Sequence, residues 1–251
     1  MTEILVVAIL VLLSFVSGML GLGVAFVAIP ALGLFGYELK HVIMPWALVL
    51  NGVTATAAAV KFMQKKMVDY KTAIPLLLIT TAAAPLGVWL LQFASAEFVW
   101  WLFVVLLIFL AYRMAFPPPQ SETDVVDLPP RKRGIAGVLG VFIGTLAGFL
   151  GVGPGFLMLP TLVLLGYTAR IAAATNALIV TLPSFSALAA HIPAAQVNWW
   201  LVSVSALLCL IAAQLGAAYM AKKVKSRTLA RMFAVVLVGL AAYRVVLLIL
   251  S

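Results

Sequence analysis

The chain has 251 residues, of which 65% are hydrophobic and only 9% are charged, and its mean hydropathy is +1.22. This composition excludes a soluble fold and indicates a protein that crosses a membrane several times. The formal net charge of +9 comes from short basic clusters between apolar stretches, a pattern that orients membrane proteins and argues against nucleic-acid binding.

The first half of the chain contains one interrupted apolar segment and three uninterrupted ones. An apolar run at 4–17 leads into a glycine-rich break at 18–30, which reads GMLGLGVAFVAIP. No lysine or arginine precedes this run, so we expect it to stay in the mature protein rather than act as a signal peptide. Three longer apolar runs follow, each near the ~20 residues that a spanning helix needs, at 42–60, 72–92 and 98–116.

A proline-rich, acidic linker separates the two halves. It begins with PPPQSETDVVDLPP, in which the prolines favour an extended chain and the acids favour water. We therefore predict a first membrane repeat at 1–116, a cytoplasmic linker at 117–133 and a second membrane repeat at 134–251. The second repeat restarts with a broken segment at 134–165, which is followed by apolar runs at 171–190, 198–221 and 229–250.

The glycine-rich break occurs twice, at a constant offset of 130 residues, because residues 148–160 read GFLGVGPGFLMLP. A break that recurs in register predicts a duplicated architecture. Its shared positions are Gly18/Gly148, Leu20/Leu150, Gly21/Gly151, Gly23/Gly153, Phe26/Phe156, Pro30/Pro160, Gly36/Gly166, Tyr37/Tyr167 and the basic pair Lys40/Arg170.

Two interpretations of these glycines are open. Small residues let membrane helices pack closely, and for a single copy this simpler explanation is favoured. Two copies in register favour the other explanation, in which the chain turns or unwinds inside the protein. Broken segments at matching places in two halves indicate the binding site of a transporter.

The basic loops predict that the two halves are inserted upside down relative to each other. In the first half the basic loop follows the second element, whereas in the second half the loop at 191–197 lacks lysine and arginine and the next one is basic. Because basic loops stay in the cytoplasm, we expect an all-α polytopic protein of two inverted repeats, with the linker inside and both termini outside. Each broken segment then crosses the membrane an even number of times, either as a re-entrant hairpin or as two short spans. Residues 4–17 would form an arm only about 21 Å long. The basic residues concerned are Lys61, Lys65, Lys66 and Lys71, and Lys222, Lys223, Lys225, Arg227 and Arg231.

Charged groups are missing from the middle of the predicted spans. No Asp or Glu lies there, and His41 and His191 fall near segment ends. Coordination of cations by buried carboxylates and proton relays through them are therefore disfavoured. The sequence also lacks the clusters that a metal site or an enzyme needs, so we expect no metal, no cofactor and no catalysis.

Neutral polar groups remain at membrane depth, and they predict an anion site. Backbone N–H groups at an interrupted helix, with its partial positive end, bind anions without a fixed charge. A hydrogen bond to its own helix is the alternative fate of any single Ser or Thr, so Asn51 and Asn176 carry the most weight. The candidate substrate-binding residues are Gly21, Gly23, Asn51 and Thr54 in the first half, and Gly151, Gly153, Pro154, Gly155, Thr175 and Asn176 in the second.

The repeated pattern G-x-x-G-x-G, followed by Phe, Pro, Gly-Tyr and a basic residue, resembles the TauE/SafE family of sulfite exporters, also called the toluene sulfonate uptake permease family. The resemblance implies a secondary transporter of the bacterial inner membrane that moves small sulfur-containing anions, such as sulfite, sulfoacetate or other organosulfonates. The family's usual glycine run is denser, close to G-x-G-G-G. Here the first copy has Gly23-Val24-Ala25 and the second has Gly153-Pro154-Gly155, which makes the second copy the stronger candidate.

The leading hypothesis is an anion transporter that works by alternating access within the lipid bilayer, alone or as a homo-oligomer. A passive small-anion channel is the alternative, and a structural or accessory membrane subunit is a third possibility. Saturable uptake that responds to a gradient on the opposite side of the membrane distinguishes a transporter from a channel. An accessory subunit would tolerate mutation of both glycine motifs.

Overall fold

A computed structural model of the protein describes residues 2–115 and 128–225, together with scattered positions between 228 and 242. In this part of the chain all regular structure is helical. A π-helical turn at Leu39–Ile43 precedes α3, and a 3-10 turn at Ile192–Ala194 follows α8. The helices are α1 (Thr2–Leu20), α2 (Ala25–Gly33), α3 (Met44–Gln64), α4 (Tyr70–Leu91), α5 (Ala96–Ala115), α6 (Pro130–Leu150), α7 (Gly155–Leu165), α8 (Ala169–His191) and α9 (Trp199–Lys223).

Six helices in the described ranges are long and apolar enough to cross a membrane: α1, α3 with its π-turn, α4, α6, α8 with its 3-10 turn, and α9. The prediction of an all-α polytopic membrane protein is therefore confirmed. Residue 116, residues 117–127 of the predicted linker and most of the predicted last run at 229–250 lie outside the described residues.

Each broken segment consists of one long helix and one short helix. The 19 residues of α1 and the 21 residues of α6 contrast with 9 residues in α2 and 11 in α7. The expectation of a short first arm at 4–17 is wrong, because α1 also includes Glu3, which suits the amino end of a helix, and continues through Gly18. In the same way α6 starts at Pro130, a residue well suited to the first helical turn.

The second broken segment folds back on itself. The Nζ atom of Lys132, in the first turn of α6, donates to the carbonyl oxygen of Leu165, the last residue of α7, at 2.7 Å. The start of α6 and the end of α7 therefore lie at the same end of the molecule, as in a hairpin.

The two halves are interleaved rather than side by side. α1 packs along α9 and α6 packs along α4, so the long arm of each half rests on a helix of the other half. Glycines permit both approaches: a Cβ on Gly18 would lie 2.2 Å from the carbonyl oxygen of Ala213, and one on Gly148 would lie 2.0 Å from that of Ala84. At these two positions the close-packing explanation is the right one.

Helices α3 and α8 form the centre and run in opposite directions. At one end of the molecule, Asp69 follows α3 and bonds to Tyr167, which precedes α8. At the other end, the backbone N–H of Gln196, after α8, donates to the carbonyl oxygen of His41, before α3, at 2.7 Å. We call the first the lysine-rich end, because it carries 61–71, 131–133 and 222–225, and the second the histidine end.

Candidate functional site

Both breaks make the same backbone turn. Gly23 has a φ of +72° and Gly153 a φ of +70°, while Gly21 and Gly151 have φ values of +63° and +66°. This left-handed region favours glycine because other residues place a Cβ against the neighbouring carbonyl. The predicted interruptions are therefore real, and they have the same geometry in both halves.

The two breaks meet each other in the buried centre. A Cβ on Gly155, the first residue of α7, would lie 2.1 Å from the carbonyl oxygen of Leu22 in the first break. Val24 is the N-cap of α2 and Pro154 is the N-cap of α7, and both are buried. The amino ends of the two short helices thus start from one shared, desolvated region.

Asn51 on α3 lies between the breaks. Its Oδ1 accepts a hydrogen bond from the backbone N–H of Ala25 at 2.8 Å, and its Nδ2 donates to Oγ of Ser184 at 2.9 Å. A Cβ on Gly23 would lie 2.2 Å from Oδ1, and one on Gly153 would lie 2.3 Å from Nδ2. One fully buried carboxamide therefore contacts both breaks.

Asn176 on α8 also touches both breaks, through its donor. Its Nδ2 donates to the carbonyl oxygens of Gly21 at 2.9 Å and Gly155 at 3.1 Å. These two bonds fix the orientation of the amide. Its Oδ1 is buried and accepts no hydrogen bond from any residue that the structure describes. A buried acceptor is thus left for a water molecule or a ligand.

Several backbone donors at the breaks are also without a partner. Within the described residues, the N–H groups of Gly23, Val24 and Gly153 donate to no carbonyl or side chain. Pro154 has no N–H to offer. Buried amides of this kind normally find a partner, so the two breaks together hold several donors that a ligand could use.

Two predicted site residues direct their hydroxyl hydrogen bonds away from the breaks. Oγ1 of Thr54 donates to the carbonyl oxygen of Leu50 at 2.7 Å, which is a bond within its own helix. Oγ1 of Thr175 accepts from the backbone N–H of Asp69 at 3.1 Å, toward the lysine-rich end. The other candidates lie at the breaks, with Gly151 packed against Met44.

A buried carboxylate at the lysine-rich end was missed by the sequence analysis. Asp69 caps α4, accepts from Oγ1 of Thr72 at 2.7 Å and accepts from the hydroxyl of Tyr167. Burial and the Asp69 carboxylate raise the pKa of Tyr167 above its ordinary value, so the phenol remains a donor. The available signal was Asp69 immediately before the apolar run of α4, because Asp is a preferred residue at a helix N-cap. The cluster of Asp69, Thr72 and Tyr167 joins the two halves. Thr175, which bonds to the backbone of Asp69, is the neighbour of Asn176 in the chain.

No group of three or more His, Cys, Asp or Glu side chains in the described ranges could share a metal ion. The candidate site at the breaks is instead neutral, because it consists of backbone groups and two carboxamides.

Comparison with known proteins decides the family. The family model described as "Sulfite exporter TauE/SafE" matches residues 6–244, which is nearly the whole chain. The protein belongs to the TauE/SafE family. One curated relative, the probable membrane transporter protein YunE of Bacillus subtilis strain 168, is 25% identical over 257 aligned residues, covering 92% of this chain and 94% of the relative. No solved structure matches the chain. As a TauE/SafE protein it is a multi-pass membrane transporter of the cell membrane, and both findings point away from an enzyme.

Proposed function

We propose that the protein moves small sulfur-containing anions, such as sulfite, sulfoacetate or other organosulfonates, by alternating access at a site between the two breaks. The observation that carries this proposal is the set of unpartnered N–H groups at Gly23, Val24 and Gly153, which lie in a buried region shared by both breaks and without a described carboxylate.

Oxyanions suit this site because backbone donors at the amino ends of α2 and α7 add to the partial positive ends of those helices. Such donors are strong in a desolvated centre, yet they carry no full charge that would hold the anion permanently. The free Oδ1 of Asn176 complements them, since it can accept from the O–H of a protonated anion or from an accompanying water.

Alternating access is supported by how the halves are joined. The central contacts run between the halves, and α3 and α8 run in opposite directions, as expected of inverted repeats that rock about a midplane site. Charge asymmetry supports a cytoplasmic position for the lysine-rich end. Rocking would open one end while the contacts at the other end, such as Asp69 with Tyr167, stay closed. A passive channel, in which both ends open together, is the alternative.

The test is uptake of radiolabelled sulfite and sulfoacetate into proteoliposomes, comparing wild type with Gly153→Leu and Asn176→Leu. Thr56→Val is the matched control, because Oγ1 of Thr56 bonds within its own helix to the carbonyl oxygen of Gly52 at 2.7 Å. We expect saturable uptake in wild type and in the control, accelerated by unlabelled anion on the opposite side, and at least a tenfold loss in the other variants. Size-exclusion profiles check folding.

Two outcomes would contradict the proposal. Absence of flux for both anions under imposed proton, sodium and voltage gradients would remove the substrate assignment. Flux that does not saturate and ignores anion on the opposite side would favour the channel.

A further inference from the structure

A polar cavity lies at the histidine end, away from the breaks. It has a volume of about 270 Å³, and its polar lining consists of Lys40, His41, Gln92 and His191. A water molecule takes up roughly 30 Å³ of liquid, so the cavity has room for a small oxyanion together with several waters. It lies where the start of the α3 segment meets the ends of α4 and α8.

The lining of this cavity is suited to an anion. Lysine, glutamine and histidine side chains all carry N–H donors, and among the described lining residues none is Asp or Glu; the carboxylate of Glu38 pairs with Nδ1 of His41 at 3.0 Å from outside the lining. Nζ of Lys40 donates to the carbonyl oxygens of Leu91 at 3.3 Å and Ala94 at 2.6 Å. The lysine therefore offsets the partial negative end of α4 and holds a positive charge beside the cavity.

His191 provides the independent sign of a ligand. Its side chain is buried, with only 6% of the residue exposed, and its Nε2 has no hydrogen-bond partner in the part of the chain that the structure describes. Buried ring nitrogens are normally hydrogen-bonded, and this unpaired one belongs to a residue that lines the cavity.

The cavity does not simply follow from the duplicated architecture. Arg170, the counterpart of Lys40, makes the equivalent bond at the lysine-rich end, from Nη2 to the carbonyl oxygen of Ala221 at 3.1 Å. The counterpart of His41 at the same offset, however, is Ile171, which is buried and apolar. Both halves therefore have a cationic side chain bonded to carbonyl oxygens at a helix end, whereas His41 and His191 lie only at the histidine end.

We propose that this cavity is a second anion site, which binds a small free oxyanion through Lys40, Gln92 and His191. Its role as a waiting position for the transported sulfite or sulfonate, at the opposite end from the lysine-rich loops, rests on the proposed function. Binding itself does not depend on transport. The site would raise the local concentration of anion beside the route to the breaks.

The experiment measures labelling of Ala194→Cys, a cavity-lining position, in the full-length protein by a thiol-reactive maleimide. The probe is methanesulfonate, a stable sulfonate, compared with chloride at equal ionic strength. Gly134→Cys, an exposed position near the lysine-rich end with open space around it, is the matched control. The native Cys209 is buried and contributes little background.

We expect methanesulfonate to slow labelling of Ala194→Cys at least fivefold, and to leave Gly134→Cys unaffected. Adding His191→Leu and Gln92→Leu should abolish the protection. Equal labelling with and without methanesulfonate would overturn the proposal, as would protection that survives both additional substitutions. Protection by phosphatidylglycerol nanodiscs in place of methanesulfonate would assign the cavity to a lipid headgroup and also overturn it. Because labelling needs no flux, a failure of transport leaves this result readable.

Discussion

The two breaks have the same backbone geometry but differ in the hydrogen bonds that position them. Their glycines have matching φ values, from +63° to +72°, and each break is contacted by both asparagines. Ala25 and Gly155 are counterparts at the offset of 130 residues. Asn51 accepts from the N–H of Ala25, whereas Asn176 donates to the carbonyl of Gly155.

This difference shows that duplicated positions have acquired opposite hydrogen-bonding roles. Asn51 has both ends of its amide engaged, so it serves mainly to position the first break. Asn176 ties the breaks together and keeps a free acceptor. The candidate site is therefore asymmetric: the amide of Asn51 is bonded at both ends, whereas that of Asn176 keeps an acceptor that a ligand could use.

The largest expected effect comes from Gly23→Ala and Gly153→Ala, which test whether the shared geometry is essential in both halves. Each substitution adds about 1–2 kcal/mol of left-handed backbone strain and drives a Cβ into the carboxamide of Asn51. We expect transport to fall more than a hundredfold, with less folded protein on size exclusion. Gly36→Ala, at φ +75° in open space, carries the strain without the clash and should keep most activity. If Gly23→Ala keeps its transport activity while Gly153→Ala loses it, the shared glycine geometry is not essential in both halves.

Next in size, Asn176→Asp should destabilise the protein more than Asn51→Asp. Asn176→Asp leaves the carbonyl oxygens of Gly21 and Gly155 without a donor, and each unpaired carbonyl costs about 1–3 kcal/mol of stability. Asn51→Asp keeps an oxygen that accepts from the N–H of Ala25. Thermal unfolding in detergent measures both. Equal losses would mean that the two asparagines have equivalent roles after all.

A smaller effect is expected for Ser184→Ala, which sharpens the role of Asn51. The change removes one partner of the Asn51 amide, at about 1 kcal/mol, and touches no bond of Asn176. Melting temperature should drop by a few degrees while the affinity for anion changes less than threefold. A loss of affinity as large as that of Asn176→Leu would place Ser184 in direct contact with the ligand.

The smallest effect concerns the residues that precede the two central helices. Glu38 precedes the turn that leads into α3, and its counterpart at the offset of 130 residues, Thr168, precedes α8. Burial alone would raise the pKa of Glu38, but hydrogen bonds from the backbone N–H groups of His41 and Lys40 hold it below the ordinary value of 4.5. The carboxylate therefore stabilises the fold above about pH 4.5, and this contribution is lost as the pH falls through the lowered pKa. Glu38→Gln should lower the melting temperature slightly at pH 7, and the difference from wild type should shrink as the pH falls below 4.5. A difference that persists at low pH would contradict the prediction.

The sequence could predict the breaks and the helices because these depend on local features. Glycine spacing located Gly23 and Gly153, and apolar runs located the spans. It could not distinguish the roles of Asn51 and Asn176, because identical side chains donate or accept according to what faces them. The partners of both residues lie more than twenty positions away in the chain.

Long-range pairing also explains why the buried carboxylate was missed. Asp69 follows three lysines in a basic segment, where an acid is expected to be solvated. Its burial results from Tyr167, which lies 98 residues further along the chain, and from Thr175. The length of α1 was missed for a related reason, since Gly18 continues the helix at a place where α9 packs closely against it.

The interleaved packing of α1 on α9 and of α6 on α4 has a consequence for biogenesis. When the first half leaves the ribosome, the helix that covers α1 has not yet been synthesised, and neither has Asn176, which bonds to the carbonyl of Gly21. Lipid supplies no hydrogen bonds for such a turn. The first break therefore reaches its final buried position only after most of the second half has been translated, so assembly of the transporter is a late, post-insertional step.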